Sequence, residues 1–310
     1  MIDPLWYFRG NQITGVNRVI NERISKVNLF LNNYRTSDYD CLIFGSSKTT
    51  LLPASQISGH NCFNFAFSAG KITDFIDYAR YIKFLNFNPK IVYVGVDEFN
   101  FTYPQENTTP EFIRSQKLPT PFYKTLFSID TTIFSFQTLF NPIKPQPRYY
   151  DSTFEVKIRK PMRKFNPKII TNQQEKAQYD SSIVQLYQEL KLIFPEAYFI
   201  GYAPPLSAWT VVNRLYNKNL LEKYLSSMIE ISGFFDVLYD FSIPSSLTTS
   251  KTNTYDGQHY TPEANIKVIQ VVENNLPSEI GILVQNNKPD LYRNKYRQRI
   301  KWFLDQFLIK

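Results

Sequence analysis

The sequence predicts an α/β protein, a three-layer α/β/α sandwich built on a parallel sheet of five strands. From residue 38 onward, short apolar runs alternate with longer segments whose apolar residues recur at helical spacing, which is the pattern of successive β-α-β units. The short runs are apolar enough to be buried on both faces, as strands of a parallel sheet are. The chain has 310 residues, 43% hydrophobic and 16% aromatic, so it can bury a large core and is not a disordered protein.

The predicted elements follow one another along the chain. An amphipathic segment at 16–31, within an N-terminal region 1–37, is expected to form a helix that packs across the sheet. The α/β domain spans 38–276. The start of its last helix is clearly marked, because Thr261 is a typical N-cap and Pro262 suits a first turn. The predicted strands are 39–44, 61–65, 91–96, 197–202 and 236–240, and the predicted helices are 72–87, 173–194, 214–232 and 262–276.

Two segments lie outside this alternation. Residues 98–170 contain nine prolines and no long periodic element, so we interpret them as an insertion after the third strand, of the kind that forms lids or binding surfaces. Residues 277–310 predict a helix rich in basic and aromatic side chains. That helix either packs on the domain with its charges exposed or, through 289–310, contacts an anionic membrane surface or an integral-membrane partner.

The net charge of +8 is concentrated in two places. Eight Lys and Arg against two acidic residues lie in 144–168, and seven against two lie in 288–310, so the rest of the chain is mildly acidic. A nucleic-acid-binding protein would carry its charge along a motif-bearing surface, and no nucleic-acid partner is expected here.

The two cysteines, Cys41 and Cys62, are too few for a disulfide framework or a four-cysteine zinc site. Both lie in short apolar runs, which favours buried free thiols, with a single bridge as the alternative. The sequence has no nucleotide-binding glycine motif and no metal-binding histidine spacing, so neither a cofactor nor a metal is expected.

A candidate nucleophile follows the first predicted strand, in the turn Gly45-Ser46-Ser47. Ligands of doubly wound sheets bind at the carboxyl ends of the strands. A serine in that turn can present its hydroxyl above the sheet and its backbone N–H to an oxyanion. The alternative is structural, because serine is also a common helix cap.

Asp256 and His259 follow the last predicted strand and precede the helix that begins at Pro262. A carboxylate can orient an imidazole and stabilise its protonated form, while the second ring nitrogen acts as a base toward a hydroxyl. An acid three residues before a histidine is a common coincidence, but this pair lies at the same predicted sheet edge as Ser47. The other histidine, His60, has no acidic cluster beside it in the sequence and is interpreted as structural.

Together these residues resemble the SGNH or GDSL-type hydrolases over about 38–276. The resemblance implies a sheet of flavodoxin-like strand order and a cofactor-free triad of Ser47, Asp256 and His259. It makes Ser47 the nucleophile and puts Ser46 in the position that usually holds an aspartate. Because the segment 63–70 resembles the second sequence block of the family, Gly70 would give its N–H to an oxyanion hole together with that of Ser47.

The third block of the family, Gly-x-Asn-Asp, resembles Gly-Val-Asp-Glu at 95–98. Asp97 therefore takes the oxyanion-hole position of an asparagine, although an ionised carboxylate accepts hydrogen bonds and cannot donate them. Asn64 and Asn100 are close in sequence and could supply the missing donor. A Gly-Ser-Ser-Lys turn with an acidic third block is similar to a divergent branch, the membrane-associated polysaccharide O-acetyltransferases and the teichoic-acid D-alanylation protein.

The branch resemblance implies serine-dependent acyl transfer, with acetyl as the expected group, or ester hydrolysis on a cell-envelope carbohydrate. A catalytically inactive glycan-binding or scaffold protein of the same fold is the alternative, and Asp97 favours it. Branch members carry an N-terminal membrane anchor before an extracytoplasmic domain. We therefore expect an extracytoplasmic, membrane-anchored protein whose anchor is absent from this chain, with a cytoplasmic protein as the alternative.

Overall fold

A computed structural model places a six-stranded, mostly parallel sheet among helices, which confirms the α/β class. The strands are, in chain order, β1 (Cys41–Phe44), β2 (Cys62–Asn64), β3 (Ile91–Gly95), β4 (Arg148–Tyr150), β5 (Val156–Ile158), β6 (Tyr198–Ala203), β7 (Val237–Asp240) and β8 (Ile282–Leu283). Strands β4 and β5 form a separate antiparallel hairpin, and the other six pair in the order β2-β1-β3-β6-β7-β8. The structure describes residues 3–8, 10–13, 15, 21–119, 129–140, 147–151, 153–170, 178–275 and 278–307.

All five predicted strands are present, but the expectation of a five-stranded, wholly parallel sheet was wrong. The sixth strand, β8, pairs antiparallel with β7, with Leu283 opposite Tyr239 and Ile282 opposite Asp240. A strand of two residues is too short to show either an apolar run or an alternation, so nothing in the sequence marks it.

The described helices cover most of those predicted. They are α1 (Glu22–Asn33), α2 (Ile72–Phe84), α3 (Glu111–Arg114), α4 (Ile129–Phe140), α5 (Val184–Ile193), α6 (Ala208–Val211), α7 (Leu221–Ile231), α8 (Pro262–Asn274) and α9 (Pro289–Phe307). Helix α8 begins as predicted, with the Thr261 hydroxyl accepting a hydrogen bond from the Ala264 N–H. Parts of three predicted helices, 16–20, 173–177 and 276, lie outside the described residues, and α7 begins later than residue 214 because a short π-helical turn precedes it.

The sheet separates two apolar layers. Alternate residues of β1 point to opposite faces, as a strand requires: Leu42 and Phe44 join one core cluster, and Cys41 and Ile43 join the other. Helices α1, α2, α5, α7 and α9 contribute to the first cluster, whereas α8 covers the second. Val27 and Phe30 of α1 lie in the first cluster together with Leu42 and Phe44 of β1.

The proline-rich insertion is more regular than its sequence suggests. It contains α3, α4 and the β4–β5 hairpin, whereas its segments 120–128 and 141–146 lie outside the described residues. Strand β5 packs against α8 and against the short 3-10 helix Thr49–Leu51 that follows β1. The insertion therefore returns to the carboxyl end of the sheet.

Helix α9 packs on the domain through the apolar stripe that its sequence predicts. Tyr292, Tyr296, Ile300 and Phe303 are buried. The Tyr292 hydroxyl donates to Asp240 Oδ2 at 2.6 Å, and the Tyr296 hydroxyl donates to the Ser242 carbonyl at 2.8 Å. Residues 308–310 lie outside the described residues, and none of the described helices is long and apolar enough to cross a membrane.

The expectation of free thiols was wrong, because Cys41 and Cys62 form a disulfide. The two residues are direct partners in the parallel β1–β2 pairing, and their Cα atoms are 4.2 Å apart. Both side chains are buried. The sequence shows that both cysteines lie in apolar runs, but it does not show the strand register that brings the two sulfur atoms together.

We expect the double variant Cys41→Ala/Cys62→Ala to lose about 3 kcal/mol of unfolding free energy, because the bridge closes a loop between residues 21 apart in the unfolded chain. Urea unfolding followed by circular dichroism measures this difference. Wild-type protein reduced in denaturant and refolded with its thiols blocked from oxidation is the control that keeps both sulfur atoms. Equal unfolding midpoints for the oxidised wild type and the variant would contradict the expectation.

Candidate active site

The structure brings Ser47, His259 and Asp256 together at the carboxyl end of the sheet. Ser47 lies in the turn after β1, and the other two lie in the loop between β7 and α8. The Ser47 Oγ atom is 2.8 Å from His259 Nε2, and His259 Nδ1 is 2.7 Å from Asp256 Oδ2. The imidazole therefore bridges a hydroxyl and a carboxylate, which is the geometry of a catalytic triad.

Asp256 is held in its ionised form. Its Oδ1 atom accepts hydrogen bonds from the backbone N–H groups of Gln258 and His259, each at 2.9 Å. Burial alone raises the pKa of this carboxyl, but the hydrogen bonds and the charge of His259 outweigh burial and hold the pKa below its ordinary value. A carboxylate that is charged near neutral pH can orient the imidazole and stabilise an imidazolium.

The loop that carries Asp256 and His259 depends on Gly257. This glycine has φ +83°, and a Cβ atom there would lie 2.6 Å from the Phe165 ring and 2.8 Å from Ser207 Oγ. Its N–H donates to Thr254 Oγ1 at 2.9 Å, and its carbonyl accepts from the Ser207 N–H at 2.8 Å. These two hydrogen bonds fix the loop, and the fixed loop holds Asp256 and His259 in place beside Ser47.

The turn after β1 gives its two serines different environments. Ser46 is completely buried, and its hydroxyl accepts from the Lys48 N–H at 3.3 Å, which is a turn-stabilising role. Ser47 is only partly buried. Its N–H has no acceptor among the described residues and so can donate to an oxyanion.

The structure does not place Gly70 in the role implied by the resemblance. The Gly70 N–H donates to the Phe67 carbonyl at 3.0 Å, so a turn already uses it. A Cβ atom at Gly70 would lie 2.8 Å from the Gly45 carbonyl, and close packing of the two turns explains the glycine. The N–H of the preceding Ala69, which lines the same cavity as Ser47, has no acceptor among the described residues.

Asp97 does not line that cavity either. It is completely buried, and its Oδ1 atom lies 2.9 Å from Lys48 Nζ, outside hydrogen-bonding angles, so the contact is an ion pair. Lys48 Nζ also pairs with Glu98 at 2.6 Å, and Arg214 pairs with the other oxygen of Glu98 at 2.6 Å. We call Lys48, Asp97, Glu98 and Arg214 the charge cluster.

Charge compensation decides the protonation of the charge cluster. Burial raises the pKa of Glu98, but Lys48 and Arg214 outweigh burial and lower it to about 2. Burial likewise opposes the charge of Lys48, and the two carboxylates outweigh it and raise the pKa of that amine. The cluster therefore contributes stability that is present above about pH 4.5, the ordinary pKa of glutamate, and is lost as the pH falls toward 2.

Neither asparagine proposed as a substitute donor lines the cavity. The Asn64 amide donates to the carbonyls of Thr49 and Leu52, at 3.2 and 3.1 Å. The side-chain oxygen of Asn100, Oδ1, accepts a hydrogen bond from the N–H of Ile72 at the start of α2. Its side-chain nitrogen, Nδ2, is buried without a partner among the described residues. Both side chains serve the turns around the site.

A cavity of about 420 Å³ opens beside Ser47. Its wall includes Lys71 and Gln258, together with Phe99, Tyr103 and Pro104 from the start of the insertion. Across the described residues, no cluster of His, Cys, Asp and Glu could hold a metal ion. His60 lies elsewhere and pairs with Asp40 at 3.0 Å.

Sequence reasoning missed two residues that touch the triad. The ring of Tyr255 stacks on the imidazole of His259, with centroids 5.4 Å apart and planes 2° from parallel. The guanidinium of Arg148, from β4, donates to the Ser47 carbonyl at 2.9 Å. In the sequence Arg148 is one of eight basic residues of a segment, so nothing there distinguishes it.

Comparisons with protein-family models and with curated proteins found no match to this chain. The SGNH resemblance therefore stays a prediction from the residues quoted above.

Replacing Asp97 with asparagine tests the charge cluster. Asp97→Asn should lower the unfolding free energy by about 3 kcal/mol near neutral pH, because buried Lys48 then shares its one remaining carboxylate with Arg214. Urea unfolding of wild type and variant measures the loss.

Glu222→Gln provides the control, because it breaks exposed pairs with Arg293 and Arg297 and should cost under about 1 kcal/mol. A fully stable Asp97→Asn variant with raised esterase activity would show instead that position 97 faces the oxyanion.

Proposed function

We propose that this chain is an SGNH-type enzyme that transfers an acyl group, by our expectation acetyl, from or to a cell-envelope carbohydrate, or hydrolyses such an ester. The continuous contact from Ser47 through His259 to Asp256, at 2.8 and 2.7 Å, is the observation that carries the proposal. The order of the parallel strands, β2-β1-β3-β6-β7, agrees with the flavodoxin-like order that the resemblance implies.

The reaction proceeds in two halves. Ser47 Oγ attacks the acyl carbonyl while His259 Nε2 takes the hydroxyl proton, and the Asp256 carboxylate stabilises the resulting imidazolium. The tetrahedral intermediate collapses, the ester bond breaks, and the leaving alkoxide takes the proton back from His259. Water, or a carbohydrate hydroxyl, then gives its proton to His259 and attacks the acyl-serine. The second tetrahedral intermediate collapses, the bond from the acyl carbon to Ser47 Oγ breaks, and Ser47 Oγ takes the proton back from His259, which frees the enzyme and either an acid or a new ester.

Two backbone donors suit the negative charge that develops on the carbonyl oxygen. Ser47 and Ala69 both line the cavity, and neither N–H group has an acceptor among the described residues. In this proposal Ala69 takes the place of Gly70 beside Ser47, and no side chain takes the place of the asparagine of the family pattern. Each such donor typically contributes a 100- to 1000-fold rate factor, about 3–4 kcal/mol.

The cavity favours a carbohydrate over a purely apolar ester. Phe99 and Tyr103 offer aromatic faces on which a sugar ring can pack, while Lys71 and Gln258 offer hydrogen-bond donors. The disulfide between Cys41 and Cys62 supports an extracytoplasmic location, because such bonds persist in oxidising compartments. An integral-membrane partner that supplies the acyl group belongs to the same proposal.

A catalytically inactive, glycan-binding or scaffold protein is the second candidate. It is favoured by one observation, the commitment of the Gly70 N–H to Phe67, which removes a donor of the family pattern. The two candidates differ in whether Ser47 is chemically reactive.

We expect a serine-directed organophosphonate to add one adduct to wild-type protein, located on Ser47 by intact mass and peptide mapping. Ser47→Ala and His259→Ala should each abolish the adduct and the turnover of a small acetyl ester without lowering the unfolding midpoint. Ser46→Ala is the matched control and should keep much of the turnover, because Ser46 is buried. An unmodified wild type under native conditions would favour the binding protein.

The proposed membrane contact of 289–310 has its own test. Lys295, Lys301 and Trp302 lie on the exposed side of α9. Lys295→Glu/Lys301→Glu should reduce sedimentation with anionic vesicles at low salt, since each basic residue near such a surface contributes about 1 kcal/mol. The control Lys223→Glu/Lys267→Glu changes two exposed lysines on α7 and α8. Equal sedimentation of the two double variants would contradict a membrane contact and would show that α9 only packs on the domain.

A further inference from the structure

The β4–β5 hairpin of the insertion places one guanidinium between two turns of the candidate active site. Arg148 Nη1 donates to the Ser47 carbonyl at 2.9 Å and to Thr50 Oγ1 at 2.7 Å. Its Nη2 atom donates to Ser68 Oγ at 2.6 Å. A single planar guanidinium thus holds the Ser47 turn and the 66–70 turn, which follow strands β1 and β2.

The 66–70 turn is fixed to α1 as well. The Ser68 N–H donates to Glu22 Oε2 at 2.5 Å, and the Ser68 carbonyl accepts from Arg23 at 3.1 Å. Glu22 Oε1 accepts from the Tyr150 hydroxyl of β4 at 2.6 Å, and it lies 4.0 Å from Arg148 Nη2. Ser68 is therefore bound both by helix α1 and by Arg148 of the hairpin. Glu22 of α1 contacts the hairpin as well, through Tyr150.

The guanidinium is well placed to order the turns. The Arg148 side chain is 18% exposed, so its hydrogen bonds face little competition from water. Hydrogen bonds from a charged donor are about twice as strong as neutral ones. Arg148 binds backbone and hydroxyl oxygens, not the reacting atoms, so its effect on chemistry must act through the positions of Ser47 and Ala69.

We propose that Arg148 is a positioning residue, which clamps the Ser47 turn to the Ser68-Ala69 turn so that the nucleophile and the two oxyanion donors keep a fixed separation. The proposal rests on the proposed function for its catalytic consequence. A displacement of about 1 Å at such a site can cost about 100-fold in rate, so the insertion would be part of the catalytic apparatus as well as a cavity wall.

The test compares Arg148→Met, Arg148→Lys, Ser68→Ala and the control Lys157→Met. Lys157 lies on β5 of the same hairpin and pairs with Asp151 and Glu155, away from both turns. Arg148→Met should lower kcat on a small acetyl ester about 10- to 100-fold with KM within about threefold. Arg148→Lys should recover part of the loss, because an ammonium reaches one turn at a time, and Lys157→Met should match wild type.

Hydrogen–deuterium exchange provides a readout that does not need turnover. Peptides covering 45–51 and 66–71 should exchange faster in Arg148→Met than in Lys157→Met, while Ser68→Ala should affect mainly 66–71. Unchanged exchange in both peptides, or an unchanged kcat in Arg148→Met, overturns the clamp. A wild type that neither turns over ester nor reacts with organophosphonate overturns the proposed function, and faster exchange in Arg148→Met then still supports the clamp as the device that orders the two turns.

Discussion

The parallel pairing of β1, β3, β6 and β7 is the constraint on which the candidate site depends. Parallel strands end at one edge of a sheet, so the turn after β1 and the loop after β7 meet there although Ser47 and His259 are 212 residues apart in the chain. The registers leave little freedom, because each strand is buried on both faces. Core packing, more than any local contact, therefore sets the 2.8 Å contact between the hydroxyl and the imidazole.

Buried and partly buried charges support the turn that carries Ser47 from two sides. On one side the charge cluster ties Lys48, the residue after Ser47, to Asp97 and Glu98 after β3. On the other side Arg148 ties the Ser47 carbonyl to the 66–70 turn. Burial of unpaired ions costs several kcal/mol, so each partner must stay in place once the core has formed. The position of the turn is consequently fixed by side chains from outside it, namely Asp97 and Glu98 after β3 and Arg148 of the insertion.

The sequence predicts what depends on periodicity and chain order, and it misses what depends on register. The apolar runs locate five strands, and residues that follow two of them, Ser47, Asp256 and His259, lie within hydrogen-bonding distance in the structure. The bridge between Cys41 and Cys62 and the guanidinium of Arg148 depend on which strands and turns become neighbours, which no local pattern shows. Gly70 occupies the expected turn, yet its N–H already donates to the Phe67 carbonyl. The sequence could not show this, because a block pattern specifies residue types and not hydrogen-bond partners.

The position of Asp97 removes the sequence argument for a catalytically inactive protein. An ionised carboxylate facing the oxyanion would repel the developing charge as well as fail to donate to it. Its pairing with Lys48 removes both objections, because the carboxylate is buried away from the cavity and its charge is neutralised by the residue that follows Ser47. Under the proposed function, Asp97 thus stands for an exchange of the asparagine donor for a structural ion pair. The difference between an enzyme and a binding protein then lies in the backbone. In the enzyme, the N–H groups of Ser47 and Ala69 stabilise the oxyanion without a side-chain donor.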